Sequence, residues 1–261
     1  MAMAAAPAPE VTISNPSIIN GGINFQYSAS PDAWLYEIQR KTALDSEFST
    51  FRYLGTLETA GTKWFNAKTV ASVASVFRIR SLTPHAESEW AEVSFDATYP
   101  LTGSWIGTPG SWATNAACVG SVAFDGNVTT FYDALYANGQ WTGLDFGSER
   151  LVTGVRFVGR NTNLSRLDGG KFQIANTPDF SDAVTVYTST SANRPAAYAV
   201  KEVVFDEPVS GRYARYLAPD QGYGNIAEAE FDTTPGPVTA PTALKIARTD
   251  LTNCLARLTW S

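Results

Sequence analysis

Short stretches in which apolar and polar residues alternate recur along most of the chain. In residues 75–82, Phe77 and Ile79 are apolar, whereas Arg78 and Arg80 are charged. A period of two is typical of a β-strand with one buried face, because a helix would repeat its apolar positions every three or four residues. Since such segments follow one another with turns between them and no long helical pattern intervenes, the sequence predicts an all-β fold of the sandwich type.

The first group of predicted strands lies within residues 10–98. In the segment AWLYEIQRKT, the alternation predicts that Trp34, Tyr36 and Ile38 face the core. After a short boundary at 99–104, a second group of short strands with frequent glycines continues to Asp232.

Composition and turn residues divide the chain into five parts. Residues 1–9 are rich in Ala and Pro and are interpreted as a linker or a cloning remnant. Residues 10–98 and 101–232 are predicted to be two independent β-sandwich domains. Residues 233–241 contain closely spaced prolines and predict a semi-rigid linker, and residues 242–261 are too few to form another sandwich.

Charge and hydropathy restrict the possible partners. The chain has 261 residues, of which 44% are hydrophobic and 17% charged, with a net charge of −6. This is an ordinary globular composition, and an acidic protein lacks the basic surface that nucleic-acid binding requires. The sequence contains no run of 18 apolar residues, so it does not predict a membrane-spanning segment. The N-terminus lacks the features of a signal peptide, so the export signal of a secreted parent would lie upstream. The protein is expected to be a monomer.

The sequence gives little support for catalysis or for a cysteine-based site. Cys118 and Cys254 are far apart and are interpreted as small buried apolar residues. His85, the single histidine, is expected on a surface loop. No catalytic motif with a nucleophile, a zinc site or a phosphate-binding loop occurs.

Residues 10–98 resemble a fibronectin type III domain. The resemblance rests on three segments in order, which are AWLYEIQR, FRIRSL and SEWAEVS. It implies an immunoglobulin-like sandwich that serves as a spacer or scaffold. Residues 242–261 resemble the first two strands of a second, incomplete domain of this kind.

Residues 101–232 carry a longer ordered series of motifs. These are GTPGSW, AFDGNVTTFYDA, NGQWTGLDFGS, GGKFQIANTPDFS, RYARYLAP and YGNIAEAEF. The series resembles the F5/8 type C, or discoidin-like, domain in a form similar to carbohydrate-binding module family 32. The resemblance implies a galactose-binding-domain-like jelly-roll, attached to an extracellular bacterial enzyme that degrades polysaccharides.

The same resemblance implies a structural calcium ion. The family places it between the D-G-[ND]-x-x-T loop and an acidic strand near the C-terminus of the domain. Carried over, the ligands would be Asp125, Asn127, Thr130 and Glu228, with Glu230 as a second candidate. Calcium takes six to eight oxygen ligands, which agrees with this set. The alternative is that Asp125-Gly126-Asn127 is a simple turn.

The family places its ligand site on loops at one end of the sandwich. The candidate ligand-binding residues on these loops are Trp112, Phe131, Asp133, Tyr136, Arg160, Arg166, Tyr223 and Asn225. Sugars are bound by aromatic faces together with planar polar groups that fork onto hydroxyls. The two arginines make an acidic sugar one candidate ligand.

Several of these residues have a structural alternative. Tyr132 and Trp141 are interpreted as core residues, whereas for Phe131 and Trp112 the choice between ligand and core is left open. Arg160 and Arg166 bind ligand or, alternatively, form ion pairs with Asp133 or Asp168, and the sequence does not decide between the two.

The sequence therefore predicts a non-catalytic carbohydrate-binding module, secreted or on the cell surface of a bacterium, that targets a covalently linked enzyme to a polysaccharide or oligosaccharide. The alternatives are an adhesion module that binds a protein, a host glycan or a lipid headgroup, and a purely architectural module.

Overall fold

The computed structural model describes residues 6–55, 60–68, 73–98, 100–233, 245–250 and 255–259, the last two ranges by backbone only. Residues 1–5, Cys254 and most of the proline-rich segment 233–241 lie outside the described residues, so the predictions made for them stay predictions.

Seven antiparallel strands form the first body. They are β1 Ile13–Ile19, β2 Gly22–Ala29, β3 Leu35–Thr42, β4 Ser49–Gly55, β5 Gly61–Lys68, β6 Ser75–Leu82 and β7 Ala91–Phe95. Strands β1, β2 and β5 make one sheet, and the other sheet has the order β4-β3-β6-β7. Their inward side chains share one apolar core. We call this body the first sandwich.

Alternation correctly predicts the core positions of β6, where Phe77 and Ile79 are fully buried. In β3, Tyr36 and Ile38 are buried as predicted, but the prediction for Trp34 is wrong. Trp34 lies in a bend one residue before β3 begins, so the alternation does not reach it, and its side chain is 66% exposed.

Six strands form a single antiparallel sheet in the second body. They are β8 Ser104–Gly107, β9 Trp141–Val158, β10 Lys171–Ala175, β11 Val184–Thr188, β12 Val200–Leu217 and β13 Glu228–Asp232. Four short 3₁₀ helices lie in its loops, at Trp112–Thr114, Ala116–Cys118, Gly120–Phe124 and Leu164–Leu167.

The two long strands β9 and β12 organise this second body. The first part of β9 pairs with β8, and its last part pairs with β13. Irregular register between Val204 and Val209 lets β12 bend where it follows β9. Both parts of β9 contribute to one core, through Leu144 in the first part and Phe157 in the last. The fold is an all-β jelly-roll of the discoidin or galactose-binding-like type, as predicted.

Two further strands, β14 Lys245–Asp250 and β15 Leu255–Thr259, pair with each other in antiparallel fashion. Within the described ranges, none of the helices has the length and apolar character needed to cross a membrane.

Candidate functional site

A cleft of about 440 Å³ opens among the loops of the second body. Its lining residues come from the loops after β8, before and after β9, and before β13, and they are Trp112, Asn115, Cys118, Phe131, Asp133, Arg160, Asn163, Arg166 and Tyr223. A larger groove of about 570 Å³ runs elsewhere, along the junction with the first sandwich. Among the described residues, it is lined by charged side chains but by a single aromatic residue, Phe95.

Backbone hydrogen bonds fix the segment that forms the cleft floor. The N–H of Ala134 donates to the carbonyl of Tyr223 at 2.7 Å, and the N–H of Trp112 donates to the carbonyl of Asp133 at 2.7 Å. The N–H of Asp133 donates to the carbonyl of Cys118 at 3.1 Å. Residues 132–134 are thus held between two other loops, which sets the direction in which Asp133 points.

Asp133 is the centre of a polar network. Its carboxylate accepts a hydrogen bond from Arg160 at 2.8 Å and lies 3.7 Å from a guanidinium nitrogen of Arg166. The side-chain amide of Asn225 donates to the same carboxylate at 2.9 Å, and its oxygen accepts from both arginines at 3.1 and 3.0 Å. Because Asp133 and Asn225 are buried, the two guanidinium groups are held in fixed positions.

Aromatic faces lie against these guanidinium groups. The Arg160 guanidinium is 4.0 Å from the ring centre of Phe131, and that of Arg166 is 4.4 Å from the ring centre of Tyr223. Trp112 stands at the rim with 59% of its surface exposed. The cleft therefore combines a large exposed ring with planar cationic groups whose orientation is set in advance.

Seven of the eight predicted ligand-site residues are brought together in this way, and Tyr136 is not. Tyr136 is 66% exposed but does not line the cleft. The prediction missed Asn115, Cys118 and Asn163, which line it. Their positions in predicted loops are the only sequence signal for a role in the cleft. Their side chains come together there only because the chain folds.

Tyr132 and Cys118 are buried, and both arginines of the cleft form ion pairs. Tyr132 is fully buried in the core, and burial raises its pKa to about 12. Cys118 is buried as predicted, and burial together with the Asp133 charge raises the pKa of its thiol. Both Arg160 and Arg166 pair with Asp133, whereas Asp168 pairs with Arg194.

Trp141 begins β9 and is half-buried, and it packs edge-on against Phe180 with the ring centres 5.4 Å apart. His85 is exposed, as predicted.

The pairing with Asp133 leaves hydrogen-bonding capacity on the arginines. Nε of Arg160 is buried and has no hydrogen-bond acceptor among the described residues. The Arg166 side chain is 29% exposed at the cleft. The exposed guanidinium group of Arg166 can donate to neighbouring hydroxyls or to a carboxylate while a sugar ring stacks on Trp112. Of the described residues that line the cleft, only Asp133 carries a carboxylate.

The predicted calcium ligands lie together in a second cluster beside the cleft. The N–H of Asn127 donates to Asp125 at 2.9 Å and to Glu228 at 3.0 Å. The Thr130 hydroxyl donates to the Asp125 carboxylate at 3.0 Å and to the Asn127 carbonyl at 2.8 Å. Gly126 has a φ of +77°, which lets the loop turn tightly around these oxygens.

Either a shared proton or a bound cation can stabilise the two carboxyl groups of this cluster. Glu228 is fully buried, and its burial, followed by its contact with the Asp125 carboxyl, raises its pKa well above the usual value. Two buried carboxyl groups held side by side repel each other unless a proton or a cation lies between them. Glu230 pairs instead with Arg156 and accepts a hydrogen bond from the N–H of Asn20. Across the described residues, no group of three or more His, Cys, Asp or Glu side chains is placed to hold a metal ion.

The second body is thus a β-sandwich with a preorganised loop cleft at its edge. The model of the F5/8 type C domain matches residues 102–230, and this part of the chain belongs to that family. No curated protein matches the chain.

Solved structures extend the comparison. The chain is 46% identical to the carbohydrate-binding module CBM62 of Clostridium thermocellum Xyl5A, over 53% of this chain and 99% of that module, with a TM-score of 0.50. The CBM32 module of AlyQ, solved with 4,5-unsaturated mannuronic acid, is 21% identical over 51% of this chain and 96% of that one, with a TM-score of 0.41. A fucolectin from Morone saxatilis, the striped bass, is 13% identical over 83% of both chains, with a TM-score of 0.45.

Proposed function

We propose that the second body binds a carbohydrate in the cleft between Trp112 and the Arg160–Arg166 pair, without transforming it. The observation that carries the proposal is the network around Asp133, which holds two guanidinium groups next to aromatic faces in an otherwise rigid loop cleft. Preorganised donors and a flat ring lower the entropy lost on binding a sugar. The family membership and the 46% identity to a carbohydrate-binding module support the proposal.

Hydrolysis is not part of the proposal. Glycoside hydrolases use a pair of carboxyl groups on either side of the scissile bond. The carboxylate of Asp133 is tied to two arginines and an amide, so its geometry serves to orient them.

The charge of the cleft bears on the class of sugar. Two guanidinium groups and one carboxylate leave one net positive charge, which favours a uronic acid over its neutral counterpart. A matched pair such as polygalacturonate and neutral galactan separates the two classes, because only the first carries a carboxylate on the same sugar skeleton.

The test is a binding screen on plant, algal and bacterial polysaccharides, followed by two single variants. Trp112→Ala removes the exposed ring in the cleft, and Tyr136→Ala removes an equally exposed ring outside it. We expect the first variant to lose at least about tenfold in affinity, and the second to bind like the unmodified chain. Equal losses in both variants, or no retention by a folded chain on any glycan, would contradict the proposal.

We further propose a biological context for this binding. The chain serves as an accessory module of an extracellular bacterial enzyme that degrades polysaccharides, and the first sandwich is a fibronectin type III domain that acts as its neighbour and spacer. The order of the segments AWLYEIQR, FRIRSL and SEWAEVS supports the second part.

A structural calcium ion completes the proposal. Asp125 and Glu228 would supply carboxylates, Thr130 a hydroxyl or carbonyl, and Asn127 its carbonyl oxygen. The ion would neutralise the buried carboxyl pair and fasten the loop to β13, near the end of the domain, with no part in chemistry. Calcium titration calorimetry on the metal-depleted chain tests this, and the absence of a binding isotherm would refute it.

A further inference from the structure

The first sandwich presses its β1–β2 turn against the loop 125–128 of the second body. At the closest point, the backbone of Gly22 touches the backbone of Gly126, and a Cβ placed on Gly22 would overlap the Gly126 carbonyl group. Gly22 does not need a positive φ, so only this contact requires a glycine there. Two backbones can approach this closely only where neither residue carries a side chain.

A buried amide network crosses the same junction. The Asn24 side chain is fully buried, and its Nδ2 donates to the Gly126 carbonyl at 3.0 Å. Its Oδ1 accepts from the Val128 N–H at 3.4 Å and from Asn66 at 2.6 Å. Asn66 also donates to the Gly126 carbonyl at 3.0 Å. Two side chains of the first sandwich therefore hold the backbone of the loop in one conformation.

The turn itself reaches the acidic strand β13. The Asn20 side chain donates to Glu228 at 2.5 Å and to the Ala229 carbonyl at 3.0 Å, and its backbone N–H donates to Glu230. From the other side, Arg156 donates to the carbonyl of Ile18 at 3.1 Å.

Apolar contacts continue the junction toward the cleft. Ile19 is fully buried in a cluster with Val128, and Trp64 and Phe131 pack against that cluster. Trp64 lies 4.9 Å from the ring centre of Tyr198, whose hydroxyl accepts a hydrogen bond from Asn161 at 2.6 Å. The junction thus supports both the loop that carries Phe131 and the loop that carries Arg160.

We propose that the first sandwich is a fixed part of the binding unit, which docks through Gly22, Asn24 and Asn66 onto loop 125–131 and orders the loops of the cleft. A carbohydrate-binding module that ends at its own sandwich would lack this support. The docking itself does not depend on the identity of the ligand, and its link to affinity rests on the proposed carbohydrate binding.

The test uses the full chain and two alanine variants in the same sandwich. Gly22→Ala inserts a methyl group into the junction, whereas Gly55→Ala adds the same group where no atom lies within 4 Å. Amide hydrogen exchange reports on the loops directly, because the Val128 N–H donates to Asn24 across the junction. We expect exchange at Val128 and in 159–163 to become at least about tenfold faster in Gly22→Ala and to stay unchanged in Gly55→Ala.

Small-angle scattering gives a second readout that does not require a ligand. An undocked first sandwich would increase the maximum dimension of the particle in Gly22→Ala but not in the control. If Gly22→Ala fails to fold, Asn24→Ala removes the amide bonds to Gly126 and Val128 without adding volume, and the same changes are expected.

Unchanged exchange and unchanged particle dimensions in both Gly22→Ala and Asn24→Ala would overturn the proposal. A chain that scatters as two independent bodies before any substitution would do the same. Either result leaves the proposed carbohydrate binding untouched, because that is tested at Trp112.

Discussion

At the scale of single residues, Asp133 and Gly224 show how few positions shape the cleft. One buried carboxylate orients two guanidinium groups and an amide. Gly224 follows Tyr223 with a φ of +69°, and a Cβ there would overlap the ring of Tyr132 in the core. The cleft wall and the core are thus joined over a few ångströms, so a change in either is transmitted to the other.

Asp133→Asn should reduce both stability and binding. The substitution leaves Arg160 partly buried without its counter-charge, and we expect a loss of roughly 2 kcal/mol in the free energy of unfolding. Asp168→Asn is the matched control, since Asp168 pairs with Arg194 at a more exposed position, and it should cost less than about 1 kcal/mol. Urea unfolding measures both, and equal losses would show that Asp133 is an ordinary surface partner.

A pair of glycines separates backbone strain from steric overlap. Gly224 and Gly139 have the same φ of +69°, but nothing lies within 4 Å of a Cβ at Gly139. Gly139→Ala should therefore cost about 1 kcal/mol, and Gly224→Ala about 3 kcal/mol, because the second also displaces Tyr132. Chemical denaturation gives the two values, and a difference near zero would mean that the core yields freely at this point.

At the scale of elements, polar side chains as well as the apolar core connect neighbouring strands and loops. In the first sandwich, Glu37 on β3 is buried and accepts hydrogen bonds from Arg80 on β6 at 2.8 and 2.9 Å. In the second body, loop 125–130 is bonded to Glu228 on β13. Both connections depend on charge, so solution conditions should alter them.

Acid should weaken the first sandwich through Glu37. Burial raises the pKa of this carboxyl, but hydrogen bonds from Gln39, Arg80 and Thr50 outweigh it, so the net pKa is lowered. A carboxyl whose folded pKa lies below its unfolded value of about 4.3 stabilises the fold above that pH, and the stabilisation is lost as pH falls through the folded pKa. We expect Glu37→Gln to be less stable at pH 7 and to lose less stability between pH 5 and 3. Parallel pH profiles for both proteins would contradict this.

Metal removal should loosen the loop 125–130. If calcium bridges Asp125 and Glu228, saturating calcium should raise the melting temperature of the full chain by about 5 °C relative to chelator at neutral pH. Asp125→Asn should abolish the difference, and Asp206→Asn, at an exposed position on β12, should preserve it. A melting temperature that does not respond to calcium in the unmodified chain would refute the calcium assignment.

At the scale of the whole molecule, the two bodies combine a recognition surface with a support. The cleft has one net positive charge, whereas the chain as a whole has a net charge of −6. Long-range electrostatics therefore do not attract polyanions, and contact-range geometry decides binding. A single site of modest affinity is useful when it is linked to a second activity, because linkage raises the local concentration of that activity at the surface.

A fusion tests this targeting role. An unrelated soluble reporter joined to the full chain should be retained on the insoluble polysaccharide identified by the screen. The same fusion with Arg166→Ala should lose about tenfold in retention, and one with Arg150→Ala, an exposed arginine outside the cleft, should not. Retention that is independent of Arg166 would place binding elsewhere on the molecule.

The fold class could be predicted from the sequence, because the signals that carry it are local. A period of two is a local property, so Phe77 and Ile79 could be assigned to the core from their own segment. The ordered motifs of residues 101–232 predicted the jelly-roll and grouped Asp125, Asn127 and Glu228, which the folded chain brings within hydrogen-bonding distance of one another.

Which loop residues share the cleft could not be predicted from the sequence, because long-range contacts set the directions of the loops. Tyr136 and Phe131 look equivalent in the sequence, but hydrogen bonds from residues 132–134 to Tyr223 and Cys118 turn Phe131 into the cleft and leave Tyr136 outside it. The contact of Gly22 with Gly126 joins residues about a hundred positions apart, and no spacing in the sequence indicates it. Loop directions and junctions between bodies arise from long-range contacts, and these exist only once the strands have assembled.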